Sequence, residues 1–286
     1  SHFLFRVVAR NDQLDRNLIN FFTHGVTLAY RTYGSGPKML VALHGFGRTG
    51  EDFAILEPSL GARYTIHAFD LHFHGKSPSY PHRAETPFTP HEIAVFYSAF
   101  ADEMNVEKFS LLGYSLGGRI ALNLVEQIPE RIERTFLVAP DGLKTKPWYR
   151  RLAGSGPGRW AYRRFVEQPA GPLMIIDVLG VTRLISQKMH RFLKGQTDSR
   201  AKRRLLRDVW LSYRSIEPDL GTVAHNASKF GIPIQLIFGE RDSVIKPILG
   251  RNLSIYAPDM ISQIELPFGH VLITPGLGVA ILEIVG

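Results

Sequence analysis

Short apolar runs alternate with amphipathic stretches along most of this chain. Thr27 to Tyr33 is β-type in composition and ends at Gly34-Ser35-Gly36-Pro37, a turn signal. Lys38 to Leu43 is a short apolar run, as expected of a strand covered on both faces, and it breaks at His44-Gly45-Phe46-Gly47. Tyr64 to Phe69 is another such run and stops at Asp70. A helix is predicted from Thr89, with Thr89 as N-cap, Pro90 at the first helical position and Glu92 completing a capping box. Ile93, Phe96, Tyr97 and Phe100 then recur at helical spacing.

Lys108 to Leu112 reads as a strand, and Gly113 to Gly118 turns the chain into a helix from about Leu116 to Gln127, stopped by Pro129. Thr135 to Val138 is one more buried strand. The strand pattern resumes at Ile232 to Phe238 and again at Ser262 to Leu266. A helix is predicted after Pro247, and a final one from near His270 to about Ile284. Such alternation predicts an α/β fold with a mostly parallel sheet flanked by helices.

Between residues 141 and 229 the pattern becomes helical, broken by Gly154-Ser155-Gly156-Pro157-Gly158. The charge changes there too. The chain carries a net +8, yet Lys144 to Lys229 holds 18 basic and 6 acidic residues, leaving a net −4 for the remainder. The basic excess therefore belongs to one internal segment. Its stretches Arg150-Arg151, Arg163-Arg164 and Arg200 to Arg207 read first as a solvated face and second as a surface for anionic lipid or an acidic substrate. No nucleic-acid motif accompanies them, so nucleic-acid binding is not expected.

With 286 residues, 44% of them hydrophobic, the chain can bury one sizeable core, or a core and a smaller domain. No apolar run approaches the roughly 18 residues that span a bilayer. Cysteine is absent, which excludes disulfides and a thiol nucleophile. It also fits a reducing compartment, and a cytoplasmic location is expected.

In a parallel sheet, functional loops lie beyond the carboxyl ends of the strands. His44, Asp70, Ser115, Asp141, Asp242 and His270 all follow predicted strands. Among them, Gly113-Tyr114-Ser115-Leu116-Gly117 has the form G-x-S-x-G. The glycines allow a sharp strand-to-helix turn that projects a serine hydroxyl, and the helix N-terminus offers free N–H groups to a developing oxyanion. The strand before it and the helix after it supply the context that chance matches lack.

Residues from about 18 to 286 resemble the α/β-hydrolase superfamily, specifically members with an inserted cap. The resemblance rests on His44-Gly45-Phe46-Gly47, Asp70 with Gly75-Lys76-Ser77, Gly113 to Gly118, Gly239-Glu240-Arg241-Asp242 and Gly269-His270. It implies an eight-stranded, mostly parallel sheet formed by residues 1–140 and 230–286, with a mainly helical cap over 141–229. One motif departs: His72-Phe73 stands where members usually read proline-glycine, which puts the shape of that loop in question.

The resemblance implies Ser115 as nucleophile, His270 as its base and Asp242 as the acid that orients the base. His225 is the rival base; Asp141 and Glu240 are the rival acids. The oxyanion would be held by the backbone N–H groups of Phe46 and Leu116. His44, beside that turn, is expected to shape it by hydrogen bonding. His72 and His74 are spaced as two metal ligands are, but no further ligand cluster accompanies them, so no metal is expected. Trp148 and Trp160, with Tyr149, Tyr162, Phe165, Leu173, Met174, Ile175 and Ile176, are candidates for a substrate pocket, the alternative being that they pack the cap.

The implied activity is a serine esterase or related acyl hydrolase, carboxylesterase- or lipase-like, working on a small-molecule acyl substrate without a cofactor. A carbon–carbon bond hydrolase or a cofactor-free perhydrolase would share this pattern. A non-catalytic binding protein is the further alternative, as is a basic cap that associates with a surface.

Overall fold

The computed structural model describes residues 17–144, 155–183 and 187–286. Eight strands form one sheet: β1 (Leu18–Thr23), β2 (Val26–Tyr33), β3 (Lys38–Leu43), β4 (Tyr64–Phe69), β5 (Phe109–Tyr114), β6 (Ile132–Val138), β7 (Ile234–Gly239) and β8 (Ile261–Leu266). The longer helices, in chain order, are α1 (Pro90–Glu103), α2 (Leu116–Gln127), α3 (Gly156–Glu167), α4 (Ala170–Val181), α5 (Gln187–Thr197), α6 (Arg200–Ser212), α7 (Leu220–Phe230) and α8 (Pro275–Val285). Among the described residues no helix is long and apolar enough to cross a membrane.

The sheet order is β1-β2-β4-β3-β5-β6-β7-β8. β2 pairs antiparallel with both β1 and β4, and every pairing from β4 to β8 is parallel. Strands β5 and β7 are buried along their whole length, as mainly apolar strands covered on both faces are, and they bury Ser110 and Gln235 as well. The edge strand β8 alternates towards solvent. β1 and β2 form a hairpin through His24 and Gly25, both at positive φ (47° and 77°), as a two-residue turn matched to strand twist demands.

Two compact units result. The first comprises residues 1–79, 90–144 and 216–286 and contains the sheet; the second comprises 80–89 and 145–215. This division differs from the expected 141–229 insert. Helix α7 belongs with the sheet because it buries Val223, Ala224 and Ala227. Asn226 also donates from Nδ2 to the carbonyls of Val125 and Glu126 at the end of α2. Conversely, residues 80–89 join the second unit: Arg214 donates to the carbonyls of Ala84 and Glu85, and the Phe88 amide to that of Ser212.

The final helix also starts later than its apolar pattern suggests, at Pro275. Thr274 caps it by accepting from the Leu277 amide at 3.4 Å, and Pro275 lacks the N–H that a helix cannot use there. His270 consequently sits on a loop four residues ahead of the cap. After Pro247 the chain makes only a 3₁₀ turn and one helical turn, Arg251–Ser254.

Near β1 the core is aromatic. Phe21, Tyr30, Phe69, Phe96 and Phe100 meet edge to face or tilted, with centroids 4.8–6.1 Å apart. The β4 residue His67 is buried among them, 5.2 Å from Phe100, and burial lowers its pKa to about 4. The unfolded chain binds a proton there near pH 6.5, so between roughly pH 6.5 and 4 it takes up protons that the folded chain refuses. Stability from this residue is therefore complete above that window and falls as pH drops through it, by up to about 3 kcal/mol. We expect His67→Phe to flatten the acid limb of the urea-midpoint profile across that window. An unchanged slope would sink this assignment.

Candidate active site

Ser115 lies between β5 and α2 with φ 51° and ψ −112°, a conformation outside the regions open to side-chain-bearing residues. Neighbouring backbone holds it there. Its N–H donates to Val138 (3.0 Å), and its carbonyl accepts from Gly118 and Asp141 (2.9 Å each). Such strain costs on the order of 1–3 kcal/mol and persists only where surroundings impose it. The turn is so tight that a Cβ on Gly117 would stand 2.0 Å from the Leu43 carbonyl oxygen. α2 thus packs its first turn directly on the end of β3.

The β3 end carries His44-Gly45-Phe46-Gly47. A Cβ on Gly45 would meet the Tyr114 ring at 3.0 Å and Ser115 Cβ at 3.2 Å, so this loop passes against the serine turn. Two buried histidines set its path. His44 donates from Nδ1 to the Gly45 carbonyl (2.7 Å) and accepts the Leu71 amide on Nε2 (2.9 Å). His74 donates from Nδ1 to the His72 carbonyl (3.0 Å) and accepts the Gly47 amide on Nε2 (3.0 Å). The two rings meet edge to face at 4.9 Å.

Each imidazole must be neutral to make these bonds, because a second ring proton would face an N–H. Burial, aided by the neighbouring His74, holds the His44 pKa well below its ordinary value; burial lowers that of His74 to about 4. The amides of Phe46 and Leu116 donate in none of the described hydrogen bonds. The ring nitrogens of His74 are both committed to backbone, so it is not disposed as a metal ligand.

Asp242 follows β7 and is buried. Its Oδ1 accepts the Val244 and Ile245 amides (2.7 and 2.9 Å), and its Oδ2 lies 2.7 Å from His270 Nδ1. Tyr114 donates its hydroxyl to the His270 carbonyl at 2.7 Å, and its ring lies tilted 5.5 Å from the imidazole. Burial pushes the Tyr114 phenol well above its ordinary pKa, so it stays a donor. The Gly45 loop, the serine turn and the His270 loop are brought together in this way at the carboxyl ends of β3, β5 and β8.

The rival residues are placed elsewhere. Asp141 is bound by Arg119 and by the Gly142 amide (2.9 Å). Glu240 is exposed, and His225 is exposed on α7. Asp70 is wholly buried and structural: its carboxylate takes both Arg31 contacts at 3.2 Å, the Gly50 amide at 2.7 Å and the Lys76 amide at 2.8 Å. It ties the loop after β4 to the segment after β3. In that loop Phe73, the residue standing where members of the resembled family carry glycine, has φ 70°. The loop keeps a glycine conformation, and phenylalanine bears a cost of about 1–2 kcal/mol for it.

Trp160 is 60% exposed on α3, with the Arg164 guanidinium 5.6 Å from its ring centroid. Trp148 and Tyr149 lie outside the described residues, as do the side chains of Tyr162, Ile175 and Ile176. Two contributors went unread in the sequence, the loop-clamping role of His74 and the bond from Tyr114 to His270. Tyr114 fills a position where any residue satisfies the motif. For His74 the histidine-glycine pair was visible, but its partner Gly47 lies 27 residues away.

Residues 38–179 match the family described as "alpha/beta hydrolase fold". A solved hydrolase from Pseudomonas aeruginosa superposes with a TM-score of 0.64, at 21% identity, over 94% of this chain and 98% of that one. The chain belongs to the α/β-hydrolase superfamily. An uncharacterized protein of Mycobacterium tuberculosis is 31% identical over 123 residues, 42% of this chain. That match spans about a third (34%) of the relative's length. A pimeloyl-[acyl-carrier protein] methyl ester esterase of Chromobacterium violaceum is 27% identical over 250 residues, covering 82% of this α/β-hydrolase-fold chain and 88% of the relative.

Proposed function

We propose that this protein is a serine hydrolase of carboxylic esters or related acyl compounds, with Ser115 as nucleophile, His270 as base and Asp242 as orienting acid. The observation that carries this reading is the His270–Asp242 pair at 2.7 Å, with the carboxylate fixed by two further amides. An Nδ1–H held by a buried carboxylate leaves Nε2 unprotonated, the form needed to take a hydroxyl proton. The strained, exposed-side turn of Ser115 and the uncommitted amides of Phe46 and Leu116 supply the other two requirements, a projecting hydroxyl and an oxyanion site. The methyl ester esterase from Chromobacterium agrees with ester chemistry.

In the proposed reaction Ser115 Oγ attacks the acyl carbon as its proton passes to His270. The tetrahedral oxyanion is held by the two amides. The proton then passes to the leaving oxygen, the acyl–oxygen bond breaks, and an acyl-serine remains. Water, deprotonated by the same imidazole, releases the acid and regenerates Ser115. The test is a fluorophosphonate label followed by a panel of esters, thioesters and lactones of increasing acyl length. Failure of the wild-type protein to take the label would overturn the reading.

His74 enters as a positioning residue. With the Gly47 amide unanchored, the Phe46 amide loses its aim. We expect His74→Phe to lower kcat by about two to three orders of magnitude with little change in KM, the size of losing one oxyanion donor. His74→Gln, whose Oε1 can accept the Gly47 amide, should recover part of that loss. Equal activity of the Phe variant and the wild type would refute the role.

A further inference from the structure

We infer that helix α4, Ala170–Val181, docks the second compact unit onto the surface of an anionic lipid bilayer. This goes beyond the proposed hydrolase chemistry and does not depend on it. Helix α4 carries a single charge, Asp177, and that charge is bound on one side by His190 (3.0 Å) and Lys194 (2.9 Å) of α5. Beside it on the same side of the helix, Met174, Val178 and Val181 are 64%, 52% and 82% exposed. These positions are spaced i, i+4 and i+7 and so form one stripe. With Ala170 and Leu173 they line an open groove of about 640 Å³, at whose rim Asp177 and Lys194 stand as an ion pair.

An exposed aliphatic stripe is costly in water, and folding of this unit leaves it uncovered. Charge indicates what covers it. Residues 80–89 and 145–215 hold 17 basic and 5 acidic side chains, a net +12, whereas the rest of the chain is net −4. Arg183 follows the stripe by two residues and is exposed, and so is Arg191, one turn before Lys194 on α5. Anionic headgroups satisfy such a rim while the valines and methionine enter the acyl boundary. The helix is about 18 Å long, too short for a hydrocarbon core of about 30 Å, so it lies in the interface and does not cross. An acidic protein would fit the charge, but the stripe is aliphatic and offers no aromatic anchor of the kind protein interfaces favour.

The test is co-sedimentation with sucrose-loaded vesicles of phosphatidylcholine, with and without phosphatidylglycerol, at low and raised salt. The expected result is partitioning of the wild-type protein onto the anionic vesicles, weakened by salt, and equally by the Ser115→Ala protein. Val178→Asp with Val181→Asp should weaken it by about ten-fold or more, while hydrolysis of a short soluble ester and the thermal midpoint stay unchanged. Val178→Ser with Val181→Ser, a milder change at the same exposed positions, should fall between. Arg183→Glu with Arg191→Glu should weaken binding to anionic vesicles only. No partitioning, partitioning indifferent to both valine pairs, equal binding to pure phosphatidylcholine, or retention by a soluble acidic carrier protein in place of vesicles would each overturn the inference. An absence of esterase activity alongside normal vesicle binding would refute only the hydrolase reading.

Discussion

Replacing Ser115 with alanine is expected to lower kcat for ester hydrolysis by roughly four to six orders of magnitude and to abolish fluorophosphonate labelling. The reason is chemical: the neighbouring hydroxyl, that of Tyr114, is committed to the His270 carbonyl, and His270 without Ser115 has only water to activate. KM should move little, since the nucleophile contributes little to binding the ground state. Stability gives an independent reading of the same turn. At φ 51° and ψ −112° the serine backbone is close to the mirror image of an ordinary extended conformation, which glycine adopts without a Cβ clash. Ser115→Gly should therefore be more stable than Ser115→Ala by about 1 kcal/mol, although both are inactive. Labelling that persists in the alanine protein would sink the assignment.

Asp242→Asn is expected to lower kcat by about four orders of magnitude while leaving the fold intact. The geometry dictates the direction. Oδ1 of Asp242 accepts two amides, those of Val244 and Ile245, so an asparagine must keep its carbonyl oxygen there. Its NH₂ group is then directed at His270 Nδ1, which becomes an acceptor and sends the ring proton to Nε2. A protonated Nε2 cannot receive the proton of Ser115. Asp242→Ala, by contrast, should also destabilise the protein by about 1 kcal/mol, because two half-buried amides lose their acceptor. Single-turnover kinetics with a chromogenic ester and thermal midpoints separate the two effects. Activity of the Asn variant within ten-fold of wild type would show that Asp242 does not set the tautomer.

Much of the sheet was legible because β3, β4, β5, β6 and β7 are short apolar runs bounded by turn residues, and helix α1 because of Thr89-Pro90 and its helical spacing. β1 was not legible as a strand: it lies at the sheet edge, and with the exposed Phe22 beside the buried Phe21 its residues do not alternate between apolar and polar. The start of α8 was misread because Val271, Leu272 and Ile273 continue the apolar pattern that belongs to the helix. Lys229 continues the basic composition up to the expected end of the insert, while α7 is hydrogen-bonded to the end of α2.

By itself the sequence determined the fold class, the glycine-flanked serine turn and the set of acidic and histidine residues that follow strands. Those properties are local: residue size, periodicity and the freedom of glycine decide them within a few positions. Only the tertiary structure decided among Asp141, Glu240 and Asp242 as the partner of His270. That choice depends on which cation or amide reaches each carboxylate, and Arg119 reaches Asp141 before any imidazole does. The neutral states of His44 and His74 were decided there too, because burial and hydrogen bonds from chain segments far apart in sequence set them.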